Sequence, residues 1–297
     1  ATIAAGRLGA DKFLPEVFTM LKENADADPI LRHAGSMAID GMCKSKDALE
    51  LAAAHESKAV RLATVMVMRR RGDESVVRFI KDASPTVADE AIRAVHDLYF
   101  ESARPAVAAL LDTRQSRSWT PFMLRRLIYS AYRQGGEINA ARLVAVALDD
   151  KVPEEVHTEA LRLLGLWTKP YPVDQFTGHW APLPERSVNE VRASLNQALP
   201  ALIKKDSATL LTALGLVDLY QLDTSVLTVE ALAQLAENSS LSGPARAKAL
   251  EMLLVRKPTN TLALLNRYVE DKKDEVAMVA IAELAKQNPE RGFEELR

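Results

Sequence analysis

Residue patterns typical of metal binding or catalysis are rare in this chain of 297 residues. The histidines are far apart, and no two of them have the i, i+4 spacing that lets one helix face bind a metal ion. They are His33, His55, His96, His157 and His179. The sequence also has no HExxH, CxxC or CxxCH pattern, the patterns of zinc, thiol–disulfide and covalent haem sites. We therefore predict neither a metal site nor a cofactor in this segment.

Patterns for nucleophilic catalysis and phosphate binding are missing as well. The sequence has no G-x-S-x-G, no G-x-x-x-x-G-K-[ST] and no G-x-G-x-x-G. Cys43 is the only cysteine and ends an apolar helical segment, which favours a buried, inert thiol over a nucleophile. The acidic pairs Glu154-Glu155 and Glu294-Glu295 stand at predicted helix starts, where the helix dipole accounts for them. We predict no catalytic residue.

Charge gives no sign of a polyanionic partner. Lys and Arg number 38 against 40 Asp and Glu, a formal net charge of −2, so there is no general attraction to nucleic acid or to an anionic membrane. Arg69, Arg70 and Arg71 with Arg78 form a basic cluster, but consecutive helical positions point in different directions. A solvated helix end is the favoured interpretation, and nucleic-acid binding is disfavoured. No apolar run reaches the roughly 18 residues of a membrane span.

Aromatic residues suggest a different kind of site. Several lie on or just before predicted helices in the middle of the chain, namely Trp119, Phe122, Tyr129, Tyr132 and Trp167. Core filling is the usual role of such residues. The alternative is a binding groove on the inner surface of a helical array, with Trp119, Tyr129 and Tyr132 as the candidate groove residues.

One stretch departs from the helical pattern of the rest. Leu161–Ser187 reads LRLLGLWTKPYPVDQFTGHWAPLPERS, with four prolines, two glycines and four aromatic residues in 27 positions. Pro170 and Pro172 force extended backbone and end the preceding helix near Trp167. A long proline-rich loop of this kind is either functional or a structural brace.

The side chains of this loop allow specific expectations. Asp174 can accept hydrogen bonds from nearby backbone amides, and Gly178 permits a turn with positive φ. Tyr171, Phe176 and Trp180 are apolar enough that we expect them to pack on the adjoining helices, with Arg186 pairing with a carboxylate or capping a helix. The candidate interaction or loop-bracing residues are Trp167, Tyr171, Asp174, Phe176, Trp180 and Arg186.

The rest of the sequence is a series of short amphipathic helices that come in pairs. Two second helices begin with a capping residue and proline, at Asp28-Pro29 and Ser84-Pro85. The predicted pairs are Asp11–Asn24 with Ile30–Met42, Asp47–His55 with Lys58–Arg71, Glu74–Lys81 with Thr86–Tyr99, Pro105–Leu111 with Pro121–Arg133, Ile138–Leu148 with Glu154–Trp167, Val188–Ile203 with Ala208–Leu222, Val229–Ala236 with Pro244–Val255, and Thr261–Val269 with Glu275–Lys286.

Equivalent positions in the second helices recur about every 27 to 37 residues, with one step of about 55 that contains the proline-rich stretch. These positions are Leu31, Val60, Val87, Leu124, Val156, Leu211, Ala245 and Val276. Such pairs cannot bury their apolar faces alone and must stack. The predicted fold is all-α, an α-solenoid of about eight antiparallel helical pairs. It divides into residues 1–168, a loop at 169–187 and residues 188–297. The ends, ATIAAGRLGA and GFEELR, are expected to cut through the repeating array.

The repeats resemble one known class. DPILRHAGSMAI resembles the start of the second helix of a HEAT repeat, with Pro29 and Arg32 in matching places. SPTVADEAIRAV and GPARAKALEML are weaker matches, with Ala88 and Arg246 near the Arg32 position. No tetratricopeptide or ankyrin signature is present.

The proline-rich run has its own resemblance. L-W-x-x-P-x-P-x-D-x-x-T-G-x-W-x-P-L-P-x-R is carried by Leu166, Trp167, Pro170, Pro172, Asp174, Thr177, Gly178, Trp180, Pro182, Leu183, Pro184 and Arg186. It resembles a segment in the HEAT region of large dehydrogenase-like proteins of Planctomycetes, Verrucomicrobia and their relatives. The resemblance implies a periplasmic or exported parent in which a β-propeller precedes the array and a c-type cytochrome domain follows it. It implies no catalytic residue in this segment.

These observations favour a non-catalytic HEAT-like scaffold that contacts a protein partner or flanking domains of its own chain. One alternative is a HEAT-like enzyme or nucleic-acid module of the alkylpurine-DNA-glycosylase type, which needs a basic concave face. Another is a small-ligand-binding protein of the chromophore-lyase type, with a pocket lined by the aromatic residues.

Overall fold

The computed structural model describes residues 1–287, 289 and 290, with the side chains of all of these except residues 46 and 47. Within this part every regular secondary-structure element is a helix. The one β-type pairing there is an isolated antiparallel bridge between Val173 and Trp180. The predicted all-α class is confirmed. The expected helix start at GFEELR lies outside the described residues. Across the described helices, none combines the length and apolar character that a membrane crossing needs.

The chain forms two compact units, Ala1–Gln134 and Gly135–Arg297, so the proline-rich loop at 169–187 lies inside the second unit. In the first unit, successive second helices are in contact: α3 packs against α5, α5 against α6, and α6 against α8. The helices of this unit are α1 (Thr2–Arg7), α2 (Leu14–Asn24), α3 (Pro29–Met42), α4 (Lys46–Ala53), α5 (Lys58–Arg71), α6 (Pro85–Asp97), α7 (Arg104–Ala108) and α8 (Pro121–Gln134).

Some predicted helices of the first unit have a tighter form. The segment predicted as a helix over Glu74–Lys81 is a 3₁₀ helix at Glu74–Phe79, and Ala109–Ser116 continues α7 as another. Asp73 caps the first of these by accepting a hydrogen bond of 3.0 Å from the Ser75 amide. Short 3₁₀ segments of this kind are common as connectors and at helix ends.

The two cap–proline pairs differ in their side-chain bonding. Asp28 caps α3, since its Oδ1 accepts a hydrogen bond of 2.7 Å from the Ile30 amide. Ser84 occupies the N-cap position of α6, but its hydroxyl makes no capping bond. Its amide instead donates to Asp82 Oδ1 at 2.8 Å. The predicted start of α6 was therefore right, and the predicted role of the Ser84 side chain was wrong.

The second unit repeats the arrangement of contacts. First helices meet at α9 and α11, and second helices meet in the series α10, α12, α14 and α16. Its helices are α9 (Glu137–Leu148), α10 (Glu154–Gly165), α11 (Asn189–Leu202), α12 (Ser207–Tyr220), α13 (Val229–Glu237), α14 (Gly243–Val255), α15 (Thr261–Val269) and α16 (Asp274–Gln287).

Arginine–aspartate ion pairs recur at the second helices, and two of them occupy the same place in their helical pairs. The fourth residue of α3, α5 and α14 is an arginine. Arg61 and Arg246 pair with an aspartate three residues before the next second helix, α6 or α16, whereas Arg32 pairs with an aspartate three residues before its own helix, α3. The pairs are Arg32–Asp26 at 2.6 Å, Arg61–Asp82 at 2.7 Å and Arg246–Asp271 at 2.5 Å. Arg61 and Arg246 thereby join one second helix to the turn that leads into the next, and in both cases two nitrogens meet two carboxylate oxygens.

Candidate functional site

The proline-rich loop connects α10 to α11, and the helices on its two sides remain packed together. α11 lies against α9, and α12 lies against α10. The loop therefore leaves the helical packing and returns to it, so it is an insertion between two adjoining pairs. Its conformation depends on how its ends and its tip are held.

The ends of the loop are held by four residues that we name the loop clasp: Gly136, Trp167, Arg186 and Glu190. The Trp167 side chain is fully buried, and its Nε1 donates to Glu190 Oε2 at 3.0 Å. The Gly136 amide donates to the same oxygen at 2.8 Å. The Arg186 guanidinium lies over the Trp167 ring, 4.8 Å from its centroid, in a cation–π contact. The clasp thus joins both ends of the loop to the start of α9.

Glycine is required beside the clasp. Gly135 has a φ of +69°, and a Cβ at this position would lie 2.9 Å from Arg186 Nε. Both the left-handed backbone and the close approach favour glycine. The sequence analysis named Trp167 and Arg186 but missed Glu190 and Gly136. The Gly135-Gly136 doublet was the available signal, while nothing local to Glu190 marks it as a partner of residues 23 and 54 positions away.

The tip of the loop is a small antiparallel turn. The Asp174 amide donates to the His179 carbonyl at 2.8 Å, and the Ala181 amide donates to the Pro172 carbonyl at 3.0 Å. Between these bonds, Val173 and Trp180 form the isolated bridge. The proline-rich sequence thus folds back on itself as a hairpin-like tip.

Asp174 organises this tip. Its side chain is buried, with 6% exposure, and its Oδ1 accepts hydrogen bonds from the amides of Phe176 at 2.9 Å and Thr177 at 3.1 Å. Gly178 has a φ of +76° and donates its amide to the Asp174 carbonyl at 2.7 Å. The predicted roles of Asp174 and Gly178 are confirmed. Arg162 Nη1 on α10 is hydrogen-bonded to Gln175, which ties the tip to the helix.

The aromatic residues of the tip do not all pack inward. Trp180 is 73% exposed and Tyr171 is 57% exposed, while Phe176 is half-buried. The expectation that all three pack on the adjoining helices was wrong for Trp180 and Tyr171. The reason is that the bridge with Val173 and the turn bonds of Asp174 fix the backbone, which leaves the Trp180 ring in solvent. The site therefore presents two exposed aromatic rings on a hydrogen-bonded turn.

The candidate groove residues have different positions. Tyr129 and Tyr132 are 3% and 6% exposed, so both belong to the core of the first unit, and the groove interpretation was wrong for them. Trp119 is partly exposed. Its Nε1 donates to the Arg114 carbonyl at 2.9 Å, and the Arg117 guanidinium lies 3.6 Å from its ring centroid.

The arginines of the basic cluster on α5 pair with nearby carboxylates. Arg71 pairs with Asp40 at 2.7 Å, Arg69 with Glu90 at 2.6 Å, and Arg70 lies 3.5 Å from Asp40. These contacts spread the positive charge over several ion pairs. This pairing is consistent with the interpretation of Arg69, Arg70 and Arg71 as an ordinary solvated helix end.

The cysteine is buried, and the acidic residues of the described part form no metal-binding cluster with it. Cys43 is fully buried, and burial raises the pKa of its thiol to about 11, although the nearby Arg71 acts in the opposite direction. The predicted burial of the thiol is confirmed, and a raised pKa disfavours the nucleophilic thiolate. Among the residues with described positions, no three His, Cys, Asp or Glu side chains come together in a way that could hold a metal ion.

Comparison with protein-family models, curated proteins and solved structures finds no match to this chain. The resemblance to HEAT repeats and to the dehydrogenase-like proteins therefore stays a prediction from sequence.

Proposed function

We propose that this chain is an α-solenoid of HEAT-like helical pairs that acts as a non-catalytic scaffold for protein–protein or interdomain contacts. The observation that carries the proposal is the recurring arginine–aspartate pair. Arg61 and Arg246 occupy the same position of their helices and reach the same position of the following turn. The same register in both units supports structurally equivalent repeats.

The helix contacts support stacking of these repeats. Each second helix of the second unit touches the second helix of the next pair, in the series α10, α12, α14 and α16. In a repeat protein each unit contacts its sequence neighbours and gains its stability from them. Scaffolds of this kind offer extended surfaces, so function depends on what the surface presents.

The loop tip is the proposed contact surface. Exposure of large aromatic rings such as Trp180 and Tyr171 is unfavourable in water, and Trp and Tyr are enriched among the residues that dominate binding energy at interfaces. The Asp174 turn and the loop clasp hold the backbone that carries these rings before any partner arrives, which lowers the entropy cost of binding. A partner protein or a flanking domain of the same chain would cover them.

The loop motif also supports a proposal about the parent protein. Its buried members, Trp167 and Asp174, together with Gly178 and Arg186, hold the loop in shape. The motif therefore specifies a loop geometry rather than a reaction. By its resemblance, we assign the segment to an exported dehydrogenase-like protein of the propeller–HEAT–cytochrome type.

Affinity capture from a lysate of the source organism tests the scaffold role. We expect the wild-type chain to retain a discrete partner that Trp180→Ala loses. Phe122→Ala is the matched control, because Phe122 is an aromatic residue with a similar exposure of 67%, in the first unit. Circular dichroism establishes that the variants fold equally. Equal partners for the two variants would contradict the assignment of the contact to the loop tip.

A further inference from the structure

The end of α5 and the adjoining part of α6 present a group of arginines on the surface of the first unit. We name it the arginine patch, and its members are Arg69, Arg70, Arg71 and Arg93. Two carboxylates serve all of them. Asp40 on α3 forms ion pairs of 2.7 Å with Arg71 and 3.5 Å with Arg70. Glu90 on α6 forms ion pairs of 2.6 Å and 3.2 Å with the other two. The patch therefore holds more cations than anions.

The arginines of the patch are more exposed than the carboxylates that they pair with. The side chain of Arg70 is 58% exposed, against 21% for Asp40. The side chain of Arg93 is 50% exposed, against 13% for Glu90. Solvent or a partner molecule therefore meets the guanidinium groups first, and the carboxylates are the less accessible members of each pair.

The surroundings do not remove this excess of positive charge. No ion pair links the patch to a further carboxylate in the described part of the chain. Asp73 follows α5, but its Oδ1 accepts the Ser75 amide at 3.0 Å. The C-terminal dipole of α5 offsets only about half a charge. Lys44 adds another cation, since its Nζ donates to the Asp40 carbonyl at 3.2 Å.

We propose that the arginine patch binds an acidic segment of a partner protein, whose carboxylates pair with the guanidinium groups. Arginine suits this role, because its planar fork of donors matches a carboxylate. Complementary charge across an interface speeds the encounter and selects the partner. The inference rests on the proposed scaffold role and assigns a partner chemistry to a second contact surface.

A protein segment fits the patch better than a nucleic acid does. Affinity for nucleic acid comes from the neutralisation of a series of phosphates, and the excess charge of this patch is too small for that. Asp40 and Glu90 each pair with two of the arginines, so a regular row of phosphates would also pass close to carboxylates that repel it. A protein segment can place its acidic side chains to avoid them.

Fluorescence anisotropy at low ionic strength tests the patch with three labelled probes. They are an oligo-glutamate, an oligo-glutamine of the same length, and an oligothymidylate with the same number of charges. We expect the full chain to bind the oligo-glutamate most tightly and to leave the oligo-glutamine unbound. Added salt should weaken the binding, because the arginines are exposed. Binding of the oligothymidylate as tight as that of the oligo-glutamate would overturn the assignment to an acidic protein segment.

The double variant Arg70→Gln, Arg93→Gln isolates the contribution of the patch. Each carboxylate keeps one arginine in this variant, so the fold should be retained, which circular dichroism checks. We expect about tenfold weaker binding of the oligo-glutamate. The double variant Arg267→Gln, Lys286→Gln is the matched control, because it removes the same charge from exposed cations of the second unit that each have a carboxylate partner. Equal effects of the two double variants would overturn the proposal.

Comparison with the loop tip separates this proposal from the scaffold role. Trp180→Ala should bind the oligo-glutamate like the wild type, since Trp180 belongs to the second unit. If captured partners depend on Trp180 while Arg70→Gln, Arg93→Gln leaves the binding of the oligo-glutamate unchanged, the patch proposal fails and the scaffold role stands. If the oligo-glutamate depends on the patch while no partner is captured, the scaffold role fails and the acidic preference of the patch stands.

Discussion

The indole of Trp167 and the carboxylate of Glu190 join the two ends of a long loop through a hydrogen bond of 3.0 Å between Nε1 and Oε2. The same oxygen accepts the Gly136 amide at 2.8 Å. Trp167 is fully buried, so loss of this acceptor leaves its indole N–H without this hydrogen bond and away from water. Such groups cost about 1 to 3 kcal/mol each. A single carboxylate therefore fixes the start of α9, the end of α10 and the start of α11.

We expect Glu190→Ala to lower the free energy of unfolding by about 2 to 3 kcal/mol, because both donors lose their acceptor. Glu190→Gln should lose less, since its amide oxygen can still accept. Urea denaturation followed by circular dichroism measures the difference. Glu185→Ala serves as the control, since Glu185 is exposed in the same loop. Equal stabilities of Glu190→Ala and Glu185→Ala would contradict the clasp.

The turn at the tip of the loop should need a hydrogen-bond acceptor at position 174. We expect Asn to supply this acceptor and Ala to lack it. Asp174→Ala removes the acceptor of the Phe176 and Thr177 amides, and we expect faster hydrogen exchange at these two amides and a loss of about 1 to 2 kcal/mol. Asp174→Asn keeps the Oδ1 acceptor, so it should stay close to the wild type. Exchange rates that are the same in Asp174→Ala and Asp174→Asn would show that the side chain does not hold the turn.

Long helices were predictable because their apolar residues repeat with the helical period. Lys58–Arg71 was predicted with the bounds that α5 has in the structure, and Asp28-Pro29 marked the start of α3. Short segments such as Glu74–Phe79 carry too little of the period to distinguish an α-helix from a 3₁₀ helix. Only their existence could be predicted.

The loop was predictable in its local bonds but not in its tertiary ones. Asp174 bonds to backbone amides close to it in sequence, and Gly178 sets the local turn. Their residue types alone therefore predict these roles. The exposure of Trp180 follows from its pairing with Val173, and the role of Glu190 follows from helix packing. Neither can be inferred from one sequence, because both depend on segments brought together by the fold.

The arginine–aspartate pairs should be sensitive to the shape of the cation. Arg61 binds Asp82 through Nε at 2.7 Å and Nη2 at 2.9 Å, and neither side chain is strongly exposed. We expect Arg61→Lys to be clearly destabilising, since an ammonium cannot reproduce the two parallel bonds. Arg61→Ala should cost about 3 kcal/mol, because Asp82 keeps its charge. Thermal unfolding compares the variants. An Arg61→Lys variant as stable as wild type would reject the paired geometry.

Asp97 should give the first unit a distinct acid sensitivity. Burial opposes its charge, but hydrogen bonds from His96 and Arg126 outweigh this effect and lower the pKa of Asp97 from 3.8 to about 2. Because the folded pKa lies below the unfolded one, the stabilisation is fully present above about pH 5 and is lost as the pH falls towards about 2. Its size is about 2 kcal/mol at most.

Comparison of the wild type with Asp97→Asn isolates this contribution from those of other carboxylates. The difference in unfolding free energy between the two proteins should shrink between about pH 5 and about pH 2. Urea titrations at several pH values measure it. A difference that stays constant over this range would show that Asp97 is not held ionised by its neighbours.

The most direct test of the proposed stacked array is removal of the last helical pair, α15 and α16. In such an array each pair depends on its neighbour, so a chain ending before α15 should lose the helical signal of α15 and α16 and keep the rest. Circular dichroism and urea denaturation of this shortened chain give the answer. We expect a cooperative transition at a somewhat lower urea concentration. Loss of most of the helical signal would contradict the stacked array.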